Sequence, residues 1–147
     1  MDIVRANEND LKQVSVLFNQ YRQFYKQISN VEGAYHFLVE RYRKQESILF
    51  VAKQGEQYVG FVQLYPTFSS VAMKDAFILN DLFVINDFRQ KGVGKELMKK
   101  AFSFANDKGA RFICLETATS NIKAQQLYEK MGMTSDSSTQ HYIYYWD

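Results

Sequence analysis

Apolar and polar positions follow two different periods along this chain, and the switches between them mark out its elements. Asp2 to Ala6 alternates well enough for a short first strand. Asn7 then offers a helix N-cap, with Asp10 in the first turn. Leu11, Val14, Val16, Leu17, Phe18, Tyr21 and Phe24 recur at helical spacing. A second helix is predicted from about Val31 to Lys44, with Phe37, Leu38 and Tyr42 inward. The pattern then becomes β-like: Ser47 to Lys53, a hairpin turn at Gly55-Glu56-Gln57, and Tyr58 to Tyr65. Pro66 to Ser70 reads as a loop. Ala76 to Ile85 is apolar on both faces except at Asn80 and Asp81, as a fully buried central strand would be. Gly94 to Asp107 is an amphipathic helix with Leu97, Met98, Ala101, Phe102 and Ala105 on one side, ended by Gly109. Arg111 to Glu116 is a further strand, Asn121 to Met131 a short helix closed by Gly132, and His141 to Trp146 is again β-like. The predicted order is βααβββαβαβ, with room for one more strand near Thr134. That is an α/β domain with a mixed sheet.

Composition narrows the picture. A chain of 147 residues fits one domain, residues 1–147, and only one proline and no repeat or low-complexity stretch interrupts it. Aromatic residues make up 16% of it, so rings fill the core or line a pocket. The formal net charge is only +2, with no block of like charges, which speaks against nucleic-acid and membrane binding. The start of the chain has no apolar leader-like segment and no run long enough to span a membrane, so a cytoplasmic protein is expected. Cys114, between Ile113 and Leu115, reads as a buried strand thiol. Neither His36 nor His141 has a partner at metal-ligand spacing, so no metal is expected.

The chemistry is concentrated after the central strand, in Arg89-Gln90-Lys91-Gly92-Val93-Gly94-Lys95. Two glycines at i and i+2 let the backbone approach a ligand. The first amides of the following helix are unpaired and lie at the positive end of its dipole, a ready site for phosphate or pyrophosphate. Arg89, Lys91 and Lys95 add positive charge. A P-loop would need Gly where Arg89 stands, and a dinucleotide fingerprint would need Gly at Leu97, so neither fits. A plain tight turn capping a helix is the alternative. A second segment, Asn121-x-x-Ala124-x-x-Leu127-Tyr128-x-x-x-Gly132, follows the next strand. Nearly two helical turns separate Asn121 from Tyr128, so both lie on one face.

Together these two segments resemble the motifs of the GCN5-related N-acetyltransferase (GNAT) superfamily. Asp81-Leu82-Phe83-Val84 leads into Arg89 to Gly94, then Glu116-Thr117-Ala118 into Asn121, Ala124, Leu127, Tyr128 and Gly132. The resemblance is close from about Ala76 to Met133 and looser before it. It implies a mostly antiparallel twisted sheet with a splayed central strand pair and flanking helices. It further implies an N-acetyltransferase that moves an acetyl group from acetyl-CoA to a primary amine: a small amine, a polyamine or a lysine side chain. Leu82, Phe83 and Val84 would offer backbone groups to the pantetheine arm. Gln90, Lys91, Gly92, Val93, Gly94 and Lys95 would wrap the pyrophosphate, with Arg89 beside them. Asn121 and Lys123 would contact the coenzyme, and Tyr128 would stand near the thioester sulfur.

Direct acyl transfer to an amine needs a neutral nucleophile, a donor for the oxyanion and a proton for the departing thiolate. The Val84 amide is the candidate oxyanion donor and Tyr128 the candidate acid. Some relatives of the polyamine-acetylating type place a carboxylate where Asn80 stands. Asp81 and Glu116 are the remaining candidate bases, acting through a water, or else they are structural. Tyr25, Tyr65 and Asn80 are candidate acceptor-site residues, with Tyr21, Tyr35 and Phe68 as further rings and Glu32 and Glu40 as partners for a cation; core packing and solvated helix faces explain the same rings and carboxylates equally well. The alternative is a non-catalytic acyl-CoA sensor or an interaction domain. Relatives often form homodimers through their C-terminal strands, which the Tyr-rich tail would permit.

Overall fold

The computed structural model describes residues 1–146. It contains two compact units, one of residues Met1–Glu116 and a second from Thr117 on. Each is described by itself.

The first unit carries a five-stranded sheet in the order β1-β2-β3-β4-β5. Its strands are β1 (Asp2–Arg5), β2 (Ile48–Gln54), β3 (Gln57–Ser69), β4 (Lys74–Val84) and β5 (Ile113–Cys114). The first four pair antiparallel with their neighbours, and β5 joins β4 in parallel. This is the mixed, mostly antiparallel sheet expected.

Three helices complete the unit: α1 (Leu11–Phe24), α2 (Val31–Arg43) and α3 (Val93–Asp107). Leu11, Val14, Leu17 and Phe18 of α1 and Ala34, Leu38 and Val39 of α2 are buried against Leu49, Val51, Phe61 and Phe83 of the sheet. Strand residues of the other parity face α3, where Phe104 meets the rings of Phe50 and Phe77. Val93, Leu97, Met98, Ala101 and Ala105 form the buried stripe of α3. Gly60 sits where β3, β4 and α3 converge. A Cβ there would come within 2.9 Å of the Phe83 carbonyl and 3.3 Å of Leu97, so only glycine fits without a shift.

Several elements differ from the sequence reading, each for a physical reason. Asn7 caps a 3-10 turn (Glu8–Asp10) ahead of α1, in a capping box with Asp10. Pro66 to Ser69 lies in β3, not in a loop. Past Leu64↔Ile48, β3 has outrun β2 and has β4 alone as its neighbour, an edge position where a missing N–H is tolerated. β5 is only two residues long, and its place at the sheet edge leaves Cys114 exposed on that strand rather than buried. Partial burial, with Glu116's charge adding to it, pushes the Cys114 thiol above its ordinary range.

In the second unit α4 (Ile122–Lys130) is capped by Asn121, whose Oδ1 accepts from the Ala124 amide at 3.3 Å. It ends on Gly132 (φ +92°), with Met133 N–H bonded to Tyr128 C=O and Gly132 N–H to Glu129 C=O. Neither the stretch near Thr134 nor His141 to Trp146 forms a strand among the described residues. Tyr142, Tyr144, Tyr145 and Trp146 are exposed there, with no paired strand to hold their alternation.

Candidate active site

The site begins with an irregularity in β4. Gln63 pairs with Asp81 and Leu64 with Leu79, so Asn80 is an extra, bulged residue opposite nothing. The bulge leaves Asn80 exposed while Asp81 is buried. Asp81 is 3% exposed and Gln63 fully buried. Gln63 Nε2 donates to Asp81 Oδ2 at 2.6 Å and to the Tyr65 hydroxyl at 3.2 Å. Asn80 Nδ2 donates to Asp81 Oδ1 at 3.1 Å. The Tyr21 hydroxyl donates to the Asn80 carbonyl at 3.3 Å and also reaches the Asp81 carboxylate.

Burial pushes the Asp81 carboxyl above the ordinary range, and the hydrogen bonds from Gln63, Tyr21 and Asn80 pull against that rise. Burial, with the charge of Asp81 second, likewise raises the Tyr65 phenol. No Lys, Arg or His pairs with Asp81 among the described residues. A buried carboxylate held only by neutral donors is a costly arrangement for a merely structural residue, and such groups cluster at functional sites.

Beyond the bulge, the β3–β4 ladder fixes which backbone groups are free. Ile85 N–H bonds Val59 C=O at 2.9 Å, so 59/85, 61/83 and 63/81 are the hydrogen-bonded pairs. In the alternate pairs, 60/84 and 62/82, the N–H and C=O groups of Leu82 and Val84 point away from β3. On that side β5 meets only Phe77 and Ile78. Leu82 and Val84 therefore present main-chain groups along an open edge, the splay between β4 and β5. Phe83 turns its backbone toward β3, and its side chain packs edge-on against Tyr21 and tilted against Phe61.

The segment after β4 leads to an uncapped helix. Gln90 (φ +59°) and Gly92 (φ +83°) are both left-handed, and Gly92 is the N-cap of α3 with no side-chain cap bond. By contrast Asn30 caps α2 and Asn121 caps α4 through their side chains. The first-turn amides of α3, at Val93, Gly94 and Lys95, have no such partner. Lys91 and Lys95 are exposed, and neither is ion-paired among the described residues. Arg89 turns the other way. Its Nε donates to Val84 C=O at 2.7 Å, and its guanidinium lies 5.5 Å from the Phe83 ring centroid and 5.8 Å from that of Phe24. It braces the end of β4 and leaves the Val84 N–H open.

Tyr25 packs on Tyr21 with ring centroids 5.0 Å apart, so Tyr21, Tyr25, Tyr65, Asn80 and Asp81 form one linked set. Phe68 stands apart from it, exposed near the far end of β3. Glu32 pairs with His36, and Glu40 with Lys44 and Arg41, along α2. Tyr35 is half-buried beside His36. Glu116 is exposed. In the second unit Asn121 and Tyr128 are half-buried and Lys123 is exposed on α4. No group of three His, Cys, Asp or Glu side chains able to hold a metal ion occurs among the described residues. No helix among them is long and apolar enough to cross a membrane. Sequence reasoning missed Gln63. Its signal was a single polar residue in the otherwise apolar interior of YVGFVQLY.

An open, mostly antiparallel five-stranded sheet with helices on both faces is the architecture of known acetyltransferase structures. One of these, a probable acetyltransferase, superimposes with a TM-score of 0.94 at 34% identity, covering 100% of this chain and 99% of its own. The chain belongs to the acetyltransferase (GNAT) family, whose model matches residues 14–133. It is 44% identical to an uncharacterized N-acetyltransferase, YhfO, of Bacillus subtilis, over 97% of this chain and 95% of that protein. It is 34% identical to a probable acetyltransferase of Haemophilus influenzae, over 72% of this chain and 73% of that protein.

Proposed function

We propose that this acetyltransferase moves an acetyl group from acetyl-CoA to a primary amine by direct attack. The observation that carries the reading is the pairing of two backbone surfaces with open N–H groups in one stretch of chain. These are the Leu82 and Val84 edge of β4 and the uncapped first turn of α3 behind left-handed Gly92. An extended amide-bearing arm suits the first, and a pyrophosphate suits the second. Gln90 to Lys95 hold the phosphates through backbone amides, with Lys91 and Lys95 supplying charge. Asn121 contributes its side-chain NH2, since its carbonyl oxygen is occupied by the Ala124 amide, and Lys123 adds a cation.

The acceptor amine arrives protonated, since aliphatic amines have pKa values of roughly 10. Asp81 takes that proton through one water, and its burial makes it a stronger base than an exposed carboxylate. Glu116 is exposed, without the buried hydrogen-bonded setting of Asp81. The neutral nitrogen then forms the C–N bond. The Val84 N–H donates to the acyl oxygen as negative charge develops there. As the C–S bond breaks, the nitrogen gives up its second proton to solvent, Tyr128 gives its phenolic proton to the sulfur and recovers one from solvent, and Asp81 returns its proton to solvent. Tyr21, Tyr25, Tyr65 and Asn80 surround the acceptor, and rings beside a carboxylate favour a cationic amine. A cytoplasmic location suits this donor.

Release of thiol from acetyl-CoA over a panel of amines, including spermidine and Nα-acetyl-lysine methyl ester, tests the reading. Amine-dependent release supports it. Binding of acetyl-CoA with no release for any amine would favour a sensor.

A further inference from the structure

We infer that Gln63 is a positioning residue that keeps Asp81 in its ionised, proton-accepting form inside a desolvated pocket. The inference rests on the assignment of Asp81 as the proton acceptor. Its basis is a count of donors and acceptors around a side chain with no access to water.

Gln63 is fully buried, and its Oε1 has no hydrogen-bond partner among the described residues. The amide has two orientations at the same heavy-atom positions. In the observed one both N–H groups are used, toward Asp81 Oδ2 and the Tyr65 oxygen, and only the carbonyl is left over. In the reverse one the carbonyl accepts from Tyr65 and from a protonated Asp81, and two buried N–H donors are left without acceptors. An orphaned buried donor is rarer in proteins than an under-used carbonyl. The observed orientation therefore prevails, and it requires an acceptor at Oδ2, which is the carboxylate.

The other groups facing Asp81 do not take over this task. Asn80 donates to Oδ1 from an exposed bulge, where water competes for its amide. Tyr21 on α1 shares its hydroxyl with the Asn80 carbonyl. On α2, Arg41 opposes the rise of the Tyr65 phenol, but its guanidinium is ion-paired with Glu40 and Glu46. The side chains that α3 buries are all apolar. Among the described residues, Gln63 is thus the one donor to Asp81 that is both fully buried and committed by its own geometry. Burial drives the carboxyl toward its neutral form, Gln63 holds it charged, and together they set a base that takes a proton and can release it again.

Gln63→Met tests this, read by 13C-NMR titration of the Asp81 carboxyl and by the pH profile of kcat/KM with spermidine or Nα-acetyl-lysine methyl ester. In the variant, Asp81 should titrate at higher pH. Turnover should fall at least tenfold below that titration and recover above it, a rescue by pH that a merely structural role would not produce. Gln63→Asn keeps the polarity but shortens the reach, and should move the titration the same way if the Met variant folds poorly. An unchanged titration in either variant overturns the role of Gln63. A shifted titration with an unchanged rate profile overturns Asp81 as the proton acceptor, and with it the use of Gln63 in turnover.

Discussion

Asp81 works against the stability of the residues around it. Its carboxyl is raised above the ordinary range, chiefly by burial. A carboxyl raised on folding contributes stability that is complete below its unfolded pKa and is lost as pH rises through its folded value. In the carboxylate form that the Gln63 orientation selects, the fold carries a buried charge held only by neutral partners. Asp81→Asn should be more stable than the wild type at pH 7 and turn over poorly. The stability difference should shrink as pH falls through the carboxyl's titration, as urea unfolding from pH 8 to pH 4 would show. A difference that does not change with pH would contradict a raised carboxyl. Asp81 was legible because it heads a recognisable motif. Gln63 was not, because a polar residue in a strand ordinarily faces solvent. Here β2 and β4 flank β3, helices cover both faces, and the side chain has nowhere else to go.

Among the elements, the start of α3 and the end of β4 were the most legible, since glycine spacing and a buried run announce them directly. The bulge at Asn80 was not, because it depends on the register with β3. Nor was the length of β3, which outruns β2, or the shortness of β5, which periodicity cannot see. The α3 start makes a firm prediction. A Cβ at Gly92 would meet nothing within 4 Å, so Gly92→Glu suffers no clash. It suffers instead the strain of φ +83°, on the order of 1 kcal/mol, and a negative charge at the proposed phosphate site. CoA affinity should fall roughly tenfold or more, since tenfold needs only about 1.4 kcal/mol. A second element contact is testable independently of function. Tyr58 of β3 donates to Asp10 of the capping turn at 2.6 Å, which, with burial, pushes its phenol up to about 12. The bond's contribution should be complete below pH 10 and disappear as pH approaches 12. Tyr58→Phe should cost about 1 kcal/mol and remove that alkaline dependence in thermal melts.

At the scale of the whole molecule, the family match, residues 14–133, runs through both compact units, with Arg89 to Lys95 on the first and Asn121 to Gly132 on the second. The α/β class and the element order as far as α4 could be read from hydrophobic periods. The C-terminal tail could not, because strand formation there needs a partner edge that alternation alone does not supply. If the phenol of Tyr128 serves the chemistry and not the donor's binding, Tyr128→Phe should lower kcat roughly 10²-fold or more while acetyl-CoA affinity holds. Equal losses in both would give it a binding role instead. The most direct measurement is calorimetric titration of acetyl-CoA into the wild-type protein and into Gly92→Glu. Saturable one-to-one binding to the wild type, weakened at least tenfold in the variant, is the expected result. No binding to the wild type, or equal affinity in the two, would contradict the assignment of the β4 edge and the α3 turn as the coenzyme site.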